Sequence, residues 1–159
     1  MGKIEDHLKF RIAANERLGH LGGANPIDKF ILEHGKSFEI GPDTFNGPRG
    51  PQGECFASCA RLAQAHNGFT YVEGYVQIFN IPISHAWLVD AAGNLIEPTL
   101  NSDDVERIGG YFGVEFSTGY LINSLFRNRC YGLLDHFYNA KTIVALVEGR
   151  ADFKPRRKG

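Results

Sequence analysis

Apolar residues open the chain at helical spacing: Ile4, Leu8 and Ile12, joined less regularly by Phe10 and Leu18, form a stripe among charged side chains. Leu21-Gly22-Gly23-Ala24 breaks that stripe. Asn25-Pro26 then pairs a capping side chain with proline at a first helical position, which predicts a second helix through Ile27, Phe30, Ile31 and Leu32 that stops near Gly35. Residues 41–53, GPDTFNGPRGPQG, are too dense in glycine and proline for either regular element and predict a long loop. Loops of that length in a small domain are usually functional or mobile.

Helical spacing returns from Glu54, with Phe56, Cys59, Ala60, Leu62 and Ala63 on one face and an end by Asn67-Gly68. The run from Phe69 to Phe79 is β-branched and aromatic, as a strand requires. Asn80-Ile81-Pro82 interrupts it, and Ser84 to Asp90 predicts a second strand, Asn94 to Glu97 a third. Ala91-Ala92-Gly93 between them suits a three-residue hairpin loop with glycine in the left-handed position. Further on, Tyr111 to Phe116 predicts a short strand, Gly119 to Phe126 and Tyr131 to Tyr138 two helices, and Thr142 to Val147 a last strand. No internal repeat and no separating linker is visible, so the expectation is a single domain over residues 1–153 with a basic tail at 154–159.

Composition narrows the class. With 159 residues, 43% hydrophobic and 22% charged, the chain has room for one core and is not a disordered sequence. A net charge of −1 supplies no field for recruiting nucleic acid. No apolar run approaches the roughly 20 residues that span a bilayer, and the charged N-terminal segment lacks the apolar stretch of a secretory signal. Three cysteines, an odd number, argue against a disulfide framework. The resulting expectation is a cytoplasmic protein with no membrane partner.

The chemistry begins at Cys55, which sits where the glycine-rich loop enters a helix. Unpaired N–H groups and the positive end of the helix dipole favour thiolate over thiol there. The same N–H groups can donate to an oxyanion. A thiol nucleophile needs a proton acceptor near neutrality, and histidine is the usual one. Of the six histidines, His7, His20 and His34 fall on or beside surface-type helices, and His136 lies in a poorly patterned segment. His66 closes the helix that Cys55 opens, about three turns away. His85, flanked by Ala86 and Trp87 on an apolar strand, is the candidate base; its plain alternative is a satisfied core histidine.

Hairpin geometry supplies a third member. A loop of Ala91-Ala92-Gly93 pairs Asp90 with Asn94, Trp87 with Glu97 and His85 with Thr99, so His85, Trp87, Glu97 and Thr99 share one face. Glu97 is then diagonal to His85 while Asp90 points to the other face, which favours Glu97 over Asp90 as the group that orients the imidazole. A loop one residue shorter or longer would reverse that assignment.

Gly53-Glu54-Cys55-Phe56-Ala57-Ser58-Cys59-Ala60 resembles the nucleophile segment of transglutaminase-like proteins. His85-Ala86-Trp87-Leu88-Val89-Asp90 resembles their histidine strand, and Leu95-Ile96-Glu97-Pro98-Thr99 their acid strand. The segments occur in the family's order within residues 53–99. Glu54 stands where the family has glutamine and Glu97 where it has aspartate. The resemblance implies an α+β, papain-like (transglutaminase-like) fold. In it the nucleophile helix packs on an antiparallel β-sheet carrying histidine and acid, with additional N-terminal and C-terminal helices. It also implies a cysteine-dependent acyl transfer on amide bonds of a protein or peptide substrate: hydrolysis by a peptidase, amidase or deamidase, or transamidation. Catalytic Cys55, His85 and Glu97 carry that expectation, with Gln52 and Trp87 as candidate oxyanion or substrate contacts. Gln52 has the alternative of an ordinary loop residue, and Trp87 of core filling.

No cofactor is implied. Three alternatives remain at this level. One is a catalytically weak domain of the same fold that binds protein, motivated by the negative charge of Glu54 beside the thiol. Another is metal binding by Cys55, Cys59 and His85, a poor set without a fourth ligand. The third is nucleic-acid binding by the basic tail, which has no interleaved aromatics.

Overall fold

A computed structural model describes residues 2–18, 26–39, 50–51, 53–101, 104 and 107–134. These residues build an α+β fold in which helices cover one face of an antiparallel five-stranded sheet. The helices are α1 (Lys3–Leu18), α2 (Pro26–His34), α3 (Cys55–Ala65) and α4 (Thr118–Asn128); the strands are β1 (Lys36–Phe38), β2 (Thr70–Ile78), β3 (Ile81–Val89), β4 (Leu95–Ile96) and β5 (Ile108–Phe116). The spatial order is β1-β5-β2-β3-β4.

Alternation along the strands divides the core. Tyr71, Tyr75, Ala86, Leu88, Phe112, Val114 and Phe116 face the helices and pack with Leu8, Phe30, Ile31, Cys59, Ala60 and Leu121. Val72, Val76, Trp87, Val89, Tyr111 and Phe38 form a smaller cluster on the other face. In α1 only Ile4 and Leu8 of the expected stripe are buried; Phe10 and Leu18 are 71% and 59% exposed. Arg11 on the same helix instead reaches α2. Its guanidinium forks onto the buried Asp28 carboxylate (Nε to Oδ2, 2.9 Å, and a second bond from Nη2), while Tyr75 Oη donates to Asp28 Oδ1 at 2.8 Å.

The interruption expected at Asn80-Ile81-Pro82 is a two-residue turn one position earlier. Phe79 and Asn80 have φ of 48° and 64°, and Ile78 pairs with Ile81. Two residues with positive φ match the natural twist of paired strands, so β3 starts immediately after them. Pro82 is accommodated because, among the described residues, the outer side of β3 pairs only at Leu88 and Val89. There its missing N–H breaks no ladder bond. β5 begins at Ile108 rather than Tyr111, and β1 is a strand that the hydrophobic pattern does not announce.

The helix expected over Tyr131–Tyr138 is absent from 131–134, and residues 135–138 lie outside the described set. After α4 ends on Arg129 in the left-handed conformation, Gly132 turns with φ of 92°. The buried Glu73 carboxylate on β2 then accepts the successive backbone N–H groups of Leu133 (2.6 Å) and Leu134 (2.7 Å), together with the Tyr71 hydroxyl at 2.7 Å. The positive φ of Gly132 lies outside the helical region, so no helix runs on from Tyr131 through it. The strand expected at Thr142–Val147 and the basic tail lie outside the described residues, as does part of the expected 1–153 domain.

Candidate active site

Cys55 is the first residue of α3, and Glu54 before it makes no side-chain capping bond. The first-turn N–H groups are therefore not occupied by a cap side chain. The entry to the helix is a tight turn in which Glu54 N donates to Pro51 O (3.2 Å), with Gly53 at φ 87°. That conformation suits glycine. Glu54 is exposed to solvent, where its charge is screened. Gly50 sits between α3 and the acid-bearing turn: its N–H donates to Pro98 O (3.0 Å), and a Cβ at this position would lie 2.1 Å from Ser58 Oγ.

The β3–β4 hairpin takes the register drawn from its loop. Leu88 pairs with Ile96 and Val89 with Leu95, Asp90 N donates to Asn94 O (2.9 Å), and Gly93 adopts φ of 91°. His85 and Glu97 consequently meet on one face, with His85 Nε2 2.8 Å from Glu97 Oε2. Asp90 is spent on the turn itself, accepting from Ala92 N (3.0 Å), Asn94 N (2.8 Å) and Asn94 Nδ2 (3.1 Å).

Glu97 is a densely solvated carboxylate whose solvent is protein. Oε1 accepts from Thr99 N (3.1 Å), Thr99 Oγ1 (3.1 Å) and Leu100 N (3.2 Å); Oε2 accepts from His85 and from Tyr111 Oη (3.0 Å). Burial works against its charge, but the imidazole and these donors outweigh burial and hold Glu97 below the usual carboxylate range. His85 follows the same logic in the opposite sense. Burial disfavours the imidazolium, yet hydrogen bonds to Cys55 and Glu97 and their electrostatic attraction raise His85 to about 9. Since Nε2 is taken by the carboxylate, Nδ1 is the nitrogen left for the Cys55 sulfur. Cys55 and His85 are 7% and 5% exposed, so the three groups sit just below the surface.

Trp87, a candidate substrate contact, has no exposed surface. Its ring stacks against His85 (centroids 6.2 Å apart) and meets Tyr111 edge-on at 5.0 Å, and its indole Nε1 has no hydrogen-bond partner among the described residues. It packs against the imidazole from within the core. Gln52, the other candidate contact, lies outside the described residues. Cys59 points into the core, where its thiol donates to Ala86 O at 3.4 Å and burial pushes it well up. Among the described residues no group of His, Cys, Asp or Glu side chains is arranged to hold a metal ion, and no helix is long and apolar enough to cross a membrane.

Tyr111 and Gly50 are the site neighbours that sequence reasoning does not single out. Gly50 carries a signal, being a glycine beside a helix entrance, whereas nothing local marks Tyr111 among other strand aromatics. Comparison with protein-family models, with curated proteins and with solved structures finds no match to this chain.

Proposed function

We propose that the protein is a cysteine-dependent acyl-transfer enzyme acting on amide bonds of a protein or peptide, with Cys55 as nucleophile, His85 as proton carrier and Glu97 as the group that orients it. The observation that carries this reading is the imidazole of His85, bonded at Nε2 to a fully hydrogen-bonded carboxylate at 2.8 Å and facing Cys55 at the start of a helix. A buried ion pair costs desolvation that a plain hydrophobic contact would not, so an imidazolium kept between a thiol and a carboxylate favours a chemical role over a packing one. The resemblance of residues 53–60, 85–90 and 95–99 to transglutaminase-like segments supports the same assignment.

In this reading the Cys55 thiolate attacks the amide carbon, and its oxygen becomes an anion that the first-turn N–H groups of α3 stabilise. The His85 imidazolium passes its proton to the departing amine as the C–N bond breaks, which leaves an S-acyl enzyme and a neutral imidazole. His85 then takes a proton from water as that water attacks the thioester, and the tetrahedral intermediate expels sulfur to give the acid. An amine in place of water gives transamidation; the abundance of water favours hydrolysis.

Intact-mass spectrometry of candidate protein substrates incubated with the enzyme tests the proposal. A gain of 1 Da from amide to acid (roughly, by the acyl-transfer chemistry above), a cleaved chain, or a cross-link each names a product, and each must vanish with Cys55→Ala. Iodoacetamide labelling is the substrate-free test. Labelling of Cys55 at neutral pH no faster than N-acetylcysteine defeats the activated-nucleophile reading and leaves a protein-binding domain.

A further inference from the structure

We infer that Tyr111 is a positioning residue for the Cys55–His85–Glu97 group, acting through Glu97; the inference rests on the reading above. The hydroxyl of Tyr111 donates to Glu97 Oε2 at 3.0 Å, the same oxygen that takes His85 Nε2 at 2.8 Å. The donors to Oε1 belong to the acid's own turn, at Thr99 and Leu100. They hold one oxygen and leave the carboxylate plane able to rock about the bond to it. A donor on the second oxygen, delivered from another strand, fixes that plane so that a lone pair aims at Nε2. It also withdraws charge from Oε2, which limits how tightly the carboxylate holds the imidazolium proton.

The sheet is shaped to bring this hydroxyl in. β5 slips its register on β2 between Gln77 and Ile78, and Gly110, immediately before Tyr111, takes φ of 151°. Such an irregularity re-aims the following side chain. Gly74 on β2 pairs with both His85 and Gly113, so at that rung, between Val72 and Val76, no β2 side chain rises between β5 and β3. A Cβ on Gly113 would lie 2.6 Å from the Trp87 ring. Over this bare floor Tyr111, Trp87 and His85 meet as three rings, with Tyr111 6.3 Å from His85 and 5.0 Å from Trp87. The titratable groups around the imidazole are thus Cys55 from α3, Glu97 from the turn after β4 and Tyr111 from β5. Tyr111 is itself buried, so it makes no contact with substrate.

Tyr111→Phe keeps the ring and removes the donor. The expected result is a folded protein in which the His85 titration, followed by the ring-proton resonances, moves upward by about 0.5–1 unit, with the alkaline limb of Cys55 alkylation by iodoacetamide moving in step. A purely structural tyrosine would lower the melting temperature and leave both titrations in place, and that result overturns the inference. Where Tyr111→Phe does not fold, 3-fluorotyrosine at position 111 makes the hydroxyl a stronger donor in an intact ring, and the His85 titration must move downward; an unmoved titration again overturns it. These are differences between variant and parent. Failure of the catalytic reading shows separately, as a parent protein whose Cys55 is no more reactive than N-acetylcysteine.

Discussion

His85 and Glu97 are 12 residues apart in the chain and 2.8 Å apart in space, because the Leu88↔Ile96 register sets the imidazole diagonally opposite the carboxylate across the β3–β4 hairpin. The relationship depends on a loop of three residues closed by Gly93. Moving the register by one position would send Glu97 to the helix-covered face and leave His85 without its acid.

Replacing Glu97 by Gln tests what the carboxylate does for the ring. The charge that helps raise His85 to about 9 is lost, and the amide cannot serve all the donors that now converge on the carboxylate. His85 should titrate closer to its ordinary 6.5. If the protein carries out the acyl transfer proposed above, its turnover should fall by about 10²–10⁴-fold. Nuclear magnetic resonance titration and single-turnover kinetics read the two effects independently.

Stability should depend on pH in a direction set by the same pair. His85 is raised from 6.5 to about 9 on folding, so its contribution is complete below 6.5 and disappears as pH rises through about 9. Glu97 is displaced downward from 4.5, so its contribution is present above 4.5 and disappears as pH falls through its lower folded value. Urea midpoints should therefore be highest between these ordinary values and decline toward about pH 10. Comparison with His85→Gln isolates the effect: the difference in stability between parent and variant should shrink from pH 7 to pH 10 (roughly the span over which the imidazolium is lost). A constant difference would contradict the assignment.

Two glycines should respond oppositely to alanine. A Cβ at Gly113 would lie 2.6 Å from the Trp87 ring and 2.7 Å from the Glu73 carbonyl oxygen, a backbone atom that cannot step aside cheaply. Gly113→Ala should cost about 1–3 kcal/mol and shift Trp87 fluorescence. At Gly119, inside α4, a Cβ meets nothing within 4 Å, and alanine should stabilise by up to about 1 kcal/mol. Equal effects at the two sites would mean that the packing beneath the imidazole is softer than its geometry implies.

Removing Arg11 should expose the cost of a buried charge distant from the site. Asp28 is fully buried and takes its bonds from Arg11 and Tyr75, while the Arg11 side chain is one-third exposed. Arg11→Met should destabilise by about 2–4 kcal/mol at neutral pH, less than for a wholly enclosed pair because solvent already screens the guanidinium. Urea unfolding of the variant against the parent measures the loss.

Local pattern alone made several elements legible. Pro26 opens α2 and Gly35 follows its end, Cys55 opens α3, and Ala91-Ala92-Gly93 defines the face shared by His85, Trp87, Glu97 and Thr99, whereas Asn25 lies outside the described residues. Caps, helix starts and short hairpin loops are decided by neighbours in the chain, which is why such signals survive without any knowledge of the fold. The region from Tyr131 to Leu134 misleads the same reasoning: Gly132 turns there with a positive φ, and Glu73, from a strand far away in sequence, holds the amides of Leu133 and Leu134. β1 is equally silent, since three residues at an edge need little hydrophobic pattern of their own.

What the chain by itself determined was the identity and order of a helix-opening thiol, a strand histidine and an acid one hairpin away, because each rests on short-range backbone geometry. Only the tertiary structure decided that α3 lays Cys55 beside His85 and that Tyr111 crosses a floor of glycines to reach Glu97. Those distances follow from how the sheet pairs β5, β2 and β3 and how the helix packs on it, and long-range pairing of that kind has no signature in local periodicity.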